Sequence, residues 1–451
     1  MFFDLLNIFD EVLWSYLGVP AIMLIGIWLS VKSGFVQIRK FGLVVKMFWQ
    51  FLTEKSEDHE RGVHPLQAFF ACIGGCVGVG NIVSICTAVQ IGGPGALFWI
   101  WVTAIFGMLV KYAEVYLGMK YRVKTADEGY TGGPHYYLQK VFKTPFIPTA
   151  VAFLLCLYGV EVYQFSVVSH SISYNFGLNH LSVTFILLGL VLFAGWGGVK
   201  RVGNISAWII PLFVLIYVGM GAWVLILNYG HLGSVFMEVF KYAFTPAGAM
   251  GGFIGSGLML TISQGVKRGC YTGDVGVGYA SVIHSESSVI RPEKQASLVI
   301  FDIFIDTFII CTTSVVLILT TGVWSEPLEA SLLVQTALGQ YFSHMNFFMP
   351  FFLFLLGYST INAYFVVGMK CAQFISPRFG KTVFNLYAIL ILMTFSFIDT
   401  TQAQTLMAVV GGLLLVLNCW GIFKLRHEIG FDLEGALSPE PKPELTQLPQ
   451  V

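Results

Sequence analysis

Long apolar runs, cut by short polar and charged segments, fill the chain from residue 15 to residue 423. A helix that crosses a bilayer needs about 20 predominantly apolar residues at about 1.5 Å of rise each. Eleven runs meet that pattern: 15–32, 65–91, 94–118, 147–170, 180–197, 204–228, 251–285, 295–320, 345–372, 382–399 and 403–423. Residues 2–14 are amphipathic and lack a basic lead, so they predict a short segment lying at the membrane interface rather than a signal peptide. Residues 427–451 hold four prolines and no apolar run, which predicts a disordered cytoplasmic tail. The fold class is therefore an all-α integral membrane protein of 11 transmembrane helices, with residues 1–426 as one polytopic domain.

Two of the runs are interrupted from within. The second contains Gly74, Gly75, Gly78 and Gly80, and each glycine costs about 1 kcal/mol of helix propensity. Such a crowd predicts that the helix opens, and hydrocarbon cannot satisfy the backbone groups that opening frees. Close packing through small residues is the alternative for a single run of this kind. The seventh run repeats the feature: Gly265, Gly269, Gly273, Gly276 and Gly278 lie there among Lys267, Arg268 and Asp274. It comes five spans later and so runs in the opposite direction. Paired interruptions in oppositely oriented halves mark the binding site of a transporter. Residues 65–228 and 251–423 then predict two five-helix inverted repeats, with one extra N-terminal helix and broken helices in spans 2 and 7.

Charge fixes the expected orientation. Twenty-one lysines and arginines fall on one side of the eleven spans and only Lys241 on the other, which puts the N-terminus outside and the C-terminus in the cytoplasm. Charged residues make up 11% of the chain, against about 25% in soluble domains. The net charge is zero with no basic stripe, which argues against nucleic acid. The eight cysteines show no C-x-x-C or Cys/His spacing, so neither a disulfide framework nor a zinc site is indicated. No HExxH or GxSxG motif supports an enzyme. A channel would need a continuous polar pore or repeated carbonyl loops, and the sequence offers two single breaks. No cofactor is expected beyond a coupling ion.

The runs GVGNIVSICTAVQIGGPGALFWIWVTAIFGML, KYAEVYLGMKYR, TGGPHYY, GGVKR, AFTPAGAMGGFIG, GVKRG and FIDTFIICTT resemble the alanine or glycine:cation symporter family, in the same order, over about residues 30–425. The resemblance implies symport of a small neutral amino acid, usually with Na⁺, across a bacterial or archaeal cytoplasmic membrane. It also implies the five-plus-five inverted-repeat fold of the amino acid–polyamine–cation superfamily. The chain departs from the family at three places. VGVGN stands for VGTGN, leaving Val79 in the hydroxyl position; TGDVGVGYAS stands for SNEAGMGSAP, so Gly273 replaces Asn and Asp274 replaces Glu. Leu353 and Phe354 stand where the family has a Ser-Thr pair that helps to hold Na⁺, and their side chains supply no oxygen. H⁺ coupling, or a non-transporting amino-acid sensor on the same frame, is the alternative these departures suggest.

Within that frame, the N–H groups of Gly78, Val79, Gly80 and Asn81 are candidates for the substrate carboxylate, because glycine permits close approach and a half-helix begins there. Gly75 and Cys76 would border a small side-chain pocket. Gln164 is a candidate polar contact, Tyr271 a wall or gate, and Thr272 a hydroxyl donor. Asp274 could balance the substrate ammonium, ligate a cation, or pair with Lys267 or Arg268. A Na⁺ site could form from the carbonyls of Cys76 and Val79 with the hydroxyls of Ser359 and Thr360; hydroxyls bonded back along their own helix are the alternative. Glu161, if buried, could carry a proton. Lys111 and Glu114 are spaced for an i,i+3 ion pair, and Asp302 and Asp306 predict structural or gating roles in span 8.

Overall fold

The computed structural model describes residues 2–53, 62–125, 129–245 and 257–437. Among them, seven helices are long and apolar enough to cross a membrane: Phe2–Lys32, Ala96–Lys120, Phe146–Phe176, Gly198–Leu227, Pro292–Thr320, Met345–Ile375 and Thr400–Glu428. Pro65–Cys76 and Val79–Gly92 form an eighth candidate bent by 52°. The remaining three runs are helical too, as His180–Gly195, Gly380–Phe395 and the interrupted pair Leu258–Thr272 and Tyr279–His284. Residues 251–256 of the seventh run lie outside the described residues.

The ends of the chain are more integrated than the hydropathy pattern suggests. Residues 2–14 do not form a separate interfacial segment: they continue into the first span as one helix, Phe2–Lys32, through a π turn at Leu13–Gly18. Side-chain contacts hold them there. Trp14 is buried and its indole N–H donates to the Ala408 carbonyl at 3.0 Å, while Asp10 forms a buried ion pair with Lys267 of the seventh span. At the other end, residues 427–437 of the predicted tail pack against the body. Leu433 and Ile429 are buried, Tyr112 donates to the Gly430 carbonyl at 2.8 Å, and Lys40 pairs with Glu434 at 3.1 Å. Residues 438–451 lie outside the described residues.

Both predicted interruptions exist, but each is narrower than the glycine pattern. In span 2 the helix runs through Gly74 and Gly75 and opens at Val77 and Gly78, whose backbones are extended, before a short 3₁₀ turn at Val79–Asn81. Gly74 stays helical because its missing side chain leaves room for Ser206 and Ser359; an added Cβ would lie 2.2 Å and 2.5 Å from their hydroxyls. In span 7, Gly265 and Gly269 are likewise helical and let span 3 approach closely. The opening there is confined to residues 273–278, where Gly276 and Gly278 have φ of +77° and +93° and Asp274 has φ +49°. A third interruption, not predicted, divides span 4 into Phe146–Tyr158 and Val162–Phe176. Glu161 sits in it with φ +47°. Left-handed φ in a non-glycine residue costs about 1–3 kcal/mol and persists only where the surroundings impose it.

The Asp10–Lys267 pair gives a stability test. Asp10→Ala leaves a buried ammonium without its partner, a loss of about 3–5 kcal/mol. The double variant Asp10→Ala/Lys267→Met removes both charges and recovers most of that loss. Thermal unfolding of the two variants in detergent, followed by tryptophan fluorescence, checks the difference.

Candidate functional site

The interruptions of spans 2 and 7 face one another in the protein interior. A Cβ on Gly80 would lie 3.5 Å from Thr272 and 3.6 Å from the Tyr271 ring, both on span 7. Lys111 of span 3, fully buried, ties the two together. Its ammonium contacts Asp302 Oδ2 at 2.6 Å, the Gly273 carbonyl at 2.9 Å and Cys76 Sγ at 3.0 Å. The lysine therefore does not pair with Glu114. Glu114 instead accepts from the Gly278 N–H and from Asn418 Nδ2, each at 3.0 Å, at the start of the second half-helix of span 7. A carboxylate there complements the helix dipole and satisfies an end amide.

The predicted carboxylate donors are assembled around two side-chain amides. Gly78 N–H donates to Asn81 Oδ1 at 2.9 Å, Val79 N–H to Gln164 Oε1 at 3.0 Å, and Asn81 N–H to the Gly78 carbonyl at 3.2 Å. Gln164 thus meets the opened turn through its amide oxygen. Asn81 also reaches across to span 8, donating from Nδ2 to Asp306, while its carbonyl accepts from Ser314 Oγ at 2.7 Å. Asp306 lies in a π segment, Phe304–Cys311; such segments concentrate at functional positions. Gly78, Val79, Gly80, Asn81, Gln164, Tyr271, Thr272 and Asp274 are all buried, so the conformation is closed around them.

Gly75 serves a helix contact: an added Cβ there would lie 1.9 Å from the Tyr279 hydroxyl. The Cys76 thiol meets Lys111 at 3.0 Å and lies beside both Asp302 and Asp274. Thr272 spends its hydroxyl on its own helix, donating to the Arg268 carbonyl at 3.0 Å.

Three of the four proposed cation ligands already have hydrogen bonds of their own. Ser359 Oγ shares a hydrogen bond with Ser206 Oγ at 2.7 Å. The Val79 carbonyl is taken by the amides of Ile82 and Val83 at 3.1 Å and 2.8 Å. Thr360 alone meets the opened turn, and it does so at other carbonyls: Gly74 at 3.1 Å and Val77 at 3.5 Å.

A second polar group joins spans 4, 7 and 9. Asp274 pairs with neither Lys267 nor Arg268; its Oδ1 accepts from Tyr364 and, at 3.5 Å, from Tyr158. Glu161 Oε1 accepts from Tyr271 Oη at 3.0 Å. Both acids are buried, and neither Asp274 Oδ2 nor Glu161 Oε2 has a hydrogen-bond partner among the described residues.

A pair of opened helices and buried acids is the arrangement of a membrane carrier, and the comparisons bear on which kind. The family model described as the sodium:alanine symporter family matches residues 1–434. The chain belongs to the sodium:alanine symporter family. YflA of Bacillus subtilis (strain 168), named an uncharacterized transporter, is 34% identical over 73% of this chain and 71% of its own. The amino-acid carrier protein AlsT of the same organism is 31% identical over 87% of this chain and 82% of its own. The sodium/alanine symporter AgcS of Methanococcus maripaludis is 28% identical over 86% and 87%. Membership makes the protein a multi-pass membrane transporter.

In this member of the family, three site residues left no sequence signal of their role. Tyr158 and Tyr364 sit in apolar runs where a tyrosine needs no explanation, and the Asn81 side chain was eclipsed by its backbone N–H. Lys111 was visible as a charge in an apolar helix, but its partners lie 35 to 191 residues away.

Gly78 and Gly80 make a matched pair for testing the opened turn. A methyl at Gly78 would meet Gln164 Oε1 at 2.5 Å and Thr360 Oγ1 at 2.6 Å, whereas the space at Gly80 is ordinary. Gly78→Ala is therefore expected to cost about 1–3 kcal/mol through overpacking and to abolish transport. Gly80→Ala is expected to keep the fold, because its Cβ meets only ordinary contacts, and to lower uptake by narrowing the space beside Tyr271. Uptake assays with size-exclusion profiles of both variants distinguish the two.

Proposed function

We propose that this protein is a secondary active symporter that imports a small neutral amino acid, alanine- or glycine-like, with a monovalent cation. One observation carries it: two opened helices meet in a closed interior beside a buried aspartate, Asp274, that keeps one oxygen without a hydrogen-bond partner among the described residues. The names of AgcS and AlsT support an amino acid as cargo. The eleven apolar runs are then eleven crossings, residues 65–228 and 251–423 are inverted repeats, and the charge asymmetry sets the N-terminus outside and the C-terminus in the cytoplasm of the cell membrane.

The substrate carboxylate takes the Val79 N–H from Gln164 and sits at the positive end of the half-helix that follows. Its ammonium pairs with Asp274 Oδ2, and Tyr271 forms a wall beside Gly80. Lys111 and Asp302 stay paired and hold the two interruptions in register. Na⁺, when it is the coupling ion, is held by Thr360 Oγ1 with the carbonyls of Gly74 and Val77 rather than by Cys76, Val79 and Ser359. Alternating access follows as one bundle rocks against the other around this centre.

Uptake of labelled alanine and glycine into proteoliposomes, under an inward Na⁺ gradient, an inward H⁺ gradient or neither, tests the proposal. Gradient-driven accumulation is expected; no accumulation under any gradient sinks it. Asp274→Asn removes the counter-charge for the ammonium and is expected to weaken alanine binding by about 1.5–3 kcal/mol, the worth of a hydrogen bond to a charged group. Titration calorimetry on the purified variant measures it.

A further inference from the structure

We propose that Glu161 is a proton-binding site of this transporter, loaded when the substrate site closes and emptied when it opens to the cytoplasm. The proposal rests on the symport reading above and adds to it a second cation, a proton, at a position separate from the oxygens around Thr360.

Glu161 and Asp274 are built as a reciprocal pair. Each stands in a helix interruption with a left-handed backbone, φ +47° and +49°. Each follows a tyrosine by three residues, Tyr158 and Tyr271. Each of those tyrosines donates to the acid of the other span: Tyr271 to Glu161 at 3.0 Å, Tyr158 to Asp274 at 3.5 Å. Both carboxyl groups keep one buried oxygen without a partner among the described residues.

The two acids differ in what can neutralise them. Asp274 faces the opened turn, where a substrate ammonium arrives. Glu161 is 1% exposed and forms no salt bridge among the described residues. The ionisable groups around it are Tyr158 and Tyr163 on its own span, Tyr271 and Asp274 on span 7, and Tyr364 on span 9. The nearby guanidinium of Arg268 donates to Ser84 at 3.1 Å instead. A buried carboxylate with no counter-charge neutralises itself by taking a proton. A metal cation needs several converging oxygen ligands, and here two neighbours, the Tyr271 hydroxyl and the Gln164 side-chain amide, are already turned to the carboxyl as donors. The proton comes from water on one side, binds Oε2, and returns to water on the other when the interruption opens, so no other reactant is needed. Closing the site over an ionised Glu161 is unfavourable, which ties loading of the proton to loading of the amino acid.

The test uses purified full-length protein, the Glu161→Gln variant and L-alanine. Glutamine keeps the acceptor for Tyr271 and imitates the protonated acid. In the wild type, alanine affinity is expected to fall with rising pH by up to about tenfold per unit, the slope for one linked proton. Glu161→Gln is expected to bind at low pH as the wild type does and to lose that slope. A variant that keeps the wild-type slope, or a wild type without one, overturns the proposal. Infrared spectroscopy reads the proton without any substrate: a carboxylic-acid C=O band present in the wild type should be missing from Glu161→Gln. If that band is missing as expected but alanine and glycine bind at no pH, the proton site stands and the amino-acid reading falls. A band unchanged in Glu161→Gln, or displaced from the wild type by Na⁺, overturns the proton site.

Discussion

Inside a bilayer every backbone amide and carbonyl must find its partner within the protein, and the arrangement of this chain follows from how it meets that demand at its opened helices. Lys111 links the two openings from one atom. Its ammonium reaches a carbonyl of one interruption, Gly273, and the last helical side chain before the other, Cys76, while Asp302 neutralises it. Removing one charge from such a buried pair leaves the other uncompensated and costs several kcal/mol. The same ion pair thus fixes the distance between spans 2, 3, 7 and 8. Glu114 and Asn418 complete the second interruption, and Asn81 and Gln164 the first.

Those satisfying groups are side chains, and side chains can be exchanged. A peptide carbonyl in an intact helix is bonded within its own segment and cannot yield to a ligand without unfolding a turn. The Val79 N–H, by contrast, is held by Gln164 Oε1, a group of the same chemistry as a carboxylate oxygen. On the function proposed above, a turn built this way is satisfied when empty and exchanges partners when cargo enters. The acids differ in kind: among the described residues, Asp274 and Glu161 keep an unmet oxygen each.

The apolar runs were legible because hydropathy reports the solvent a segment faces, and the lipid-facing length needs no knowledge of partners. The two main interruptions were legible too, since glycine weakens a helix wherever it stands. Their extent was not. Gly74, Gly75, Gly265 and Gly269 carry the same local penalty as Gly78 and Gly273, but each lies where another helix packs closely, and at the first three a side chain would not fit. The interruption at Glu161 had a single glycine before it and passed as ordinary helix.

By itself, then, the sequence determined a polytopic helical protein, its charge asymmetry, the two places where helices open, and the family motifs in their order. All of these are properties of contiguous residues. Only the tertiary structure decided that Lys111 joins Asp302 and not Glu114, that residues 2–14 and 427–437 belong to the packed body, that Thr360 meets Gly74 and Val77 while Ser359 turns to Ser206, and that Tyr158 and Tyr271 exchange acids across spans. Each of those outcomes sets one partner against another many residues away. A buried polar group takes whichever partner the packing of the helices brings within reach, and no local pattern encodes that choice.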